Sequence, residues 1–194
     1  MRLRNVVPVV FTVLVMGRSG SGGELKIEPF QQYLLLSATK TSTMEEELGM
    51  AASQGFRIMQ AASSGVGVLL LLERAAKPPE TYQYKILATV KIDTMEKELT
   101  DLAKEGYRLL PRTIMTKRKM IGPPELLCVL EREPGASEQQ RWEYEVLGTS
   151  RTSTLEKEIL ESRQKDFAVV GLTTANERTV IMERAMKGTA APKP

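Results

Sequence analysis

Asp93-Thr-Met-Glu-Lys-Glu-Leu-Thr-Asp-Leu-Ala-Lys-Glu-Gly106-Tyr107 is the stretch on which the reading of this chain turns. Met95, Leu99, Leu102 and Ala103 recur at helical spacing and form one apolar stripe. Asp93 with Glu96 three positions later has capping-box spacing, and Gly106 supplies the left-handed residue that ends a helix. The same pattern stands earlier, from Ser42 through Glu45 and Leu48 to Gly55-Phe56, with Met44, Ala51 and Ala52 on its stripe. It stands again later, from Ser153 through Glu156 and Ile159 to Asp166-Phe167. Asp166 replaces the glycine there and tolerates a left-handed backbone less well.

Working outward, each helix is flanked alike. Tyr33, Tyr84 and Tyr144 lie in short aromatic and aliphatic runs of strand character. Tyr84 follows Tyr33 by 51 positions and Tyr144 follows Tyr84 by 60. Thr43, Thr94 and Thr154 keep the same spacings, as do Phe56, Tyr107 and Phe167. A second strand begins at Phe56, Tyr107 and Phe167. A third closes each unit on Glu73-Arg74, Glu131-Arg132 and Glu183-Arg184. The pattern predicts an α+β chain of three tandem βαββ repeats. Each is a three-stranded, antiparallel-type sheet with one helix, the third strand lying between the first and second. So small a sheet has too little core to stand alone, so the repeats are expected to pack on a shared core. The expected boundaries are 24–76, 77–135 and 136–187, with Pro/Gly/polar linkers between them and a disordered tail over 188–194.

With the unit in view, the chain resembles a small bacterial domain family of unknown function. That family opens on Tyr-x-Tyr-Lys-Val and has a helix ending Leu-x-x-x-Gly-x-x-Gly-Trp-Glu-Leu-Val. Tyr82-Gln-Tyr-Lys-Ile86 matches the opening, Leu99 to Leu110 the helix end, and Glu131-Arg132 the close. Phe or Tyr stands where the family has Trp. The resemblance implies the fold and leaves the chemistry open.

The N-terminus predicts export. Arg2 and Arg4 precede the apolar run Val6 to Met16, and Arg18 and a Gly/Ser stretch to Gly23 follow, the layout of a signal peptide over 1–23. The run is shorter than the roughly 20 residues a spanning helix needs, so no transmembrane segment is expected after cleavage. The pI near 9.0 belongs largely to this segment. Without Arg2, Arg4 and Arg18, Lys+Arg falls from 27 to 24 and equals Asp+Glu at 24. Global charge therefore gives no support to nucleic-acid binding. The expected location is periplasmic or secreted.

The chain has no histidine and one cysteine, Cys128, set in the apolar run Leu126 to Leu130. Cys128 reads as a packed small hydrophobe. No phosphate-cradling loop, Cys/His metal cluster or nucleophile–histidine–acid set occurs in the sequence, so neither cofactor nor catalysis is expected. The paired acids Glu45/Glu47, Glu96/Glu98 and Glu156/Glu158 read as helix caps and solvated faces. The terminal arginines Arg74, Arg132 and Arg184 are expected either to face a shared axis as an anion site or, more simply, to pair with an acid of a neighbouring repeat. Arg57 and Arg108 form an incomplete series that Ala168 breaks. Arg112, Lys117, Arg118 and Lys119 form the densest basic cluster, on the long turn of the middle repeat. Long loops often carry function, which makes these four the candidate site for a protein or anionic envelope component. The sequence thus predicts an exported, non-catalytic binding or structural protein of the cell envelope. The alternative is an extracytoplasmic small-ligand or anion-binding protein with a pocket between repeats.

Overall fold

A computed structural model describes residue 25 and residues 27–75, 81–133, 135 and 142–186. The segment 1–23 expected to be a signal peptide, most of the expected linker residues and the tail over 188–194 lie outside the described residues. The described residues are mixed α+β, with three helices and three antiparallel sheets. Strand β1 (Tyr33–Ala38), helix α1 (Thr41–Ser53), β2 (Phe56–Ser64) and β3 (Gly67–Arg74) build the first sheet. The second contains β4 (Gln83–Thr89), α2 (Ile92–Lys104), β5 (Arg108–Leu109), β6 (Met115–Lys117) and β7 (Glu125–Arg132). The third contains β8 (Trp142–Thr149), α3 (Thr152–Gln164), β9 (Ala168–Thr174) and β10 (Arg178–Ala185).

The strand orders are β1-β3-β2, β4-β7-β5 and β8-β10-β9, so the last strand of each sheet is central. The reason is topological. A tight hairpin forces the last two strands antiparallel, and the helix crossover brings the first strand to the other edge of the last. The second sheet departs from the expected three strands: a 3-10 turn at Pro111–Thr113 interrupts the hairpin arm, and β6 then rejoins β7 as a fourth strand. Thr113 fills the break in the ladder: its hydroxyl accepts from Val129 N at 2.9 Å and donates to Leu110 O at 2.7 Å.

Each helix stops as read. Gly55 and Gly106 have φ of 85° and 88°, and Asp166 holds the same left-handed turn at 70°. The helix starts differ from expectation. The helices begin at Thr41, Ile92 and Thr152, behind Lys40, Lys91 and Arg151, and none has a side-chain cap. Ser42, Asp93 and Ser153 therefore sit inside the first turn, and the capping boxes do not form. Thr89 and Thr149 instead brace two of the entries, each hydroxyl accepting an amide two residues on at 3.2 Å.

The sheets share cores. Met44, Leu48, Phe56, Leu70 and Leu72 of the first sheet pack with Leu127 and Val129 of β7. The other face of β7, Leu126, Cys128 and Leu130, packs with Met95 and Leu99 of α2 and with Ile181 of β10. Strand β7 is thus buried on both faces, which is why its sequence is a continuous apolar run. Val180 and Met182, on the opposite face of β10, pack with Leu155 and Phe167. Among the described residues no helix is long and apolar enough to cross a membrane.

Candidate functional site

Polar residues that recur between the segments build the two seams between sheets. At the first seam, β2 places Arg57 beside Glu131 of β7. Arg57 Nε and Nη2 donate to the Glu131 carboxylate at 3.0 and 2.6 Å. Tyr84 Oη donates to the same carboxylate at 2.8 Å and accepts from Ile58 N at 3.3 Å. The Arg57 guanidinium lies 4.3 Å from the Tyr82 ring centroid. The second seam repeats this chemistry. Arg108 donates to Glu183 at 2.8 Å, Tyr144 Oη donates to Glu183 at 2.8 Å, and Leu109 N donates to Tyr144 Oη at 2.9 Å. Arg108 stacks 3.7 Å from the Trp142 centroid.

Glu131 and Glu183 are buried, and each receives a charged donor and a phenol, which a buried carboxylate requires. The phenols respond. Burial first, then the neighbouring carboxylate, pushes the Tyr84 and Tyr144 hydroxyls well above the ordinary tyrosine range. The hydrogen bonds to Glu131 hold the Arg57 guanidinium above its usual range, against the opposing effect of burial.

The helix glutamates complete the seams. Glu45 of α1 accepts from Ile86 N of β4 at 3.0 Å and from Lys85 Nζ at 2.9 Å. Glu96 of α2 accepts from Val146 N of β8 at 2.9 Å. Strands β4 and β8 are edge strands, and these carboxylates satisfy amides that a sheet edge leaves open. At the Glu-Arg ends, Arg74 and Arg184 do not form the expected pairing with an acid of a neighbouring segment. The glutamate, not the arginine, crosses the seam. Arg74 and Arg184 stay at home, donating to Gln54 O and Lys165 O and stacking 4.5 Å from Phe56 and Phe167.

The basic cluster is dispersed. Arg112 Nη2 donates to Ile58 O at 2.9 Å, tying the 3-10 turn to the first sheet. Lys117 is buried beside Glu125 at 4.0 Å, and Lys119 pairs with Glu125 at 3.1 Å. Arg118 N donates to Gly65 O at 3.2 Å, while its side chain is exposed. Arg118 and Lys119 are followed in the turn by Met120 and Ile121, which are 90 % and 89 % exposed.

A groove of about 660 Å³ lies between α1 and β4, lined by Thr41, Glu45, Gly49, Tyr82, Lys85 and Tyr107 among others. None of the four basic candidates lines it. Cys128 is fully buried, and burial pushes its thiol far up, away from the thiolate. Among the described residues no group of three His, Cys, Asp or Glu side chains is placed to hold a metal ion. No family model, curated protein or solved structure matches the chain.

Proposed function

We propose that the chain is an exported, non-catalytic binding protein of the cell envelope, built as three tandem βαββ repeats. The small bacterial family that its motifs resemble fits that reading. The repeated charged residues serve the seams, which leaves the partner-facing chemistry to the segment where the middle repeat departs from the others. One observation carries the reading: the turn after β6 presents Met120 and Ile121 to solvent beside Arg118 and Lys119. An apolar tip with adjoining cations fits an anionic envelope surface, since the cations supply attraction and the tip supplies buried area. Lys117 and Arg112 act in this reading as the turn's anchors.

The test compares the purified protein with an Arg118→Ser/Lys119→Ser/Met120→Ser variant, by capture of envelope components and by co-sedimentation with vesicles of anionic or neutral lipid. The expected result is binding that the variant loses and that neutral vesicles do not show. Equal recovery by both proteins overturns the assignment of the turn. Export is tested separately by N-terminal sequencing of the secreted fraction, where an intact Met1 overturns cleavage.

A further inference from the structure

We infer that the chain associates head to tail with a second copy of itself, the α3–β9 end of one molecule docking on the outer face of β1 and β3 of the next. This contact continues the pattern of the two seams and does not involve the turn after β6. Each seam joins a helix and the strand after it to the first and last strands of the following sheet. Among the described residues, one half of that arrangement is uncovered on each side.

At the leading end, Leu35 occupies the place of Ile86 and Val146, whose amides receive Glu45 and Glu96. Tyr33 and Leu35 are exposed, and Leu69 and Leu71 beside them on β3 are half-buried. Leu71 stands where Val129 and Ile181 are fully buried by the preceding sheet. At the trailing end, Glu156 occupies the place of Glu45 and Glu96 and is exposed. Leu172 stands where Ala61 does, and is 67 % exposed where Ala61 is 9 %. Val169 stands where Ile58 and Leu109 are buried, and it too is exposed.

The two open halves are complementary in backbone terms: a free helix glutamate at one end, an edge strand at the other. They differ from the internal seams in chemistry. Ala168 replaces Arg57 and Arg108, Gln31 replaces Tyr82 and Trp142, and Leu160, 60 % exposed, replaces Gly49 and Thr100. A terminal unit that merely stopped an array would carry a polar outer face. This one carries Leu160, Val169 and Leu172, facing the apolar Tyr33, Leu35 and Leu71 of the next copy. The contact therefore rests on apolar burial, opposed by Glu73, which meets Ala168 in place of an arginine, and is weak and reversible. Joining unlike faces, it extends into chains or closes as a ring.

The experiment is sedimentation equilibrium of the full chain over a concentration series, with Leu35→Glu and Leu160→Glu as face-specific variants. The wild type is expected to rise above its monomer mass of 21.6 kDa as concentration rises. Each variant alone stays monomeric, because one of its faces is blocked. Their equimolar mixture forms a dimer and stops there, since one intact face of each kind remains. Circular dichroism checks that both variants fold; if Leu160→Glu does not, Leu172→Glu blocks the same end. A wild type that stays monomeric throughout overturns the inference. So does association that either variant retains alone, or a mixture that stays monomeric. A monomeric wild type whose Leu35→Glu variant is destabilised would assign the leading face to the chain's own N-terminal segment instead.

Discussion

Removing Arg57 should cost more than an ordinary surface ion pair. Its Nε and Nη2 give the Glu131 carboxylate bonds of 3.0 and 2.6 Å, and the Glu131 side chain is 4 % exposed. In Arg57→Met the carboxylate keeps only the Tyr84 phenol at 2.8 Å among these donors. Breaking a fully buried pair from one side costs about 3–5 kcal/mol. Arg57 is itself partly exposed, so water can enter where the guanidinium stood, and the expected loss falls to about 2–3 kcal/mol. Glu131→Gln removes the charge but keeps an acceptor, and should cost about 1–2 kcal/mol. The double variant leaves no buried charge, so its loss should fall below the sum of the singles by about 1.5 kcal/mol or more. Guanidinium unfolding of all four proteins measures this, with the slope checked for a loss of cooperativity between sheets. A coupling below about 0.5 kcal/mol, the value for exposed pairs, would refute the claim that the seam is held by a desolvated ion pair.

Three further outcomes follow from the same geometry. Glu96→Ala strips the acceptor from Val146 N and should lower stability by about 1 kcal/mol, while Glu96→Gln should recover at least half of that in chemical denaturation. The raised hydroxyls of Tyr84 and Tyr144 keep their protons in the fold after the unfolded chain begins to lose its own, near pH 10. Their contribution is thus full below about pH 10 and falls as pH rises beyond it. Denaturation midpoints at pH 8, 10 and 11 should drop more steeply for the wild type than for a Tyr84→Phe/Tyr144→Phe variant; parallel curves would contradict this. Glu145 has a buried Oε2 without a partner, its other oxygen lying 3.6 Å from Lys165 Nζ. Leu34 fills the corresponding place in the first sheet, and Glu145→Leu should raise stability by about 1–2 kcal/mol, read as a higher midpoint at unchanged slope.

How much of this was legible depends on how local each signal is. The helix stops at Gly55, Gly106 and Asp166 were readable because a left-handed residue is a property of the backbone at one position. The central place of β3, β7 and β10 followed from hairpin and crossover constraints. The helix starts were misread because Glu45 and Glu96 satisfy two physical roles equally well on paper. A capping box and a bond to a distant edge strand both need a carboxylate early in the helix. On the open edges of β4 and β8 the amides of Ile86 and Val146 face no further strand, and they donate to these carboxylates. The basic run after Pro111 read as one patch because sequence proximity hides the turn that sends Arg112 and Arg118 in different directions.

The broken arginine series held the missing signal. Arg57 and Arg108 stand in the first two segments, and Ala168 ends the row. The aromatic that each arginine covers is shifted by one: Tyr82 and Trp142 stand in the second and third, with Gln31 in the first. A symmetric three-site binder would need all three arginines, and their incompleteness argues against it. A linear junction needs a donor wherever a segment follows and an acceptor wherever one precedes, which is the observed pattern. Side chains that form an internal seam are therefore recognised by being absent from the first or the last of the three described segments. Glu45, Glu96 and Glu156 do not follow that rule, nor do Glu73, Glu131 and Glu183, since all six persist to the ends. Glu156 and Glu73 are the members for which the chain itself supplies no neighbouring sheet, and both lie on the faces that a second copy would cover.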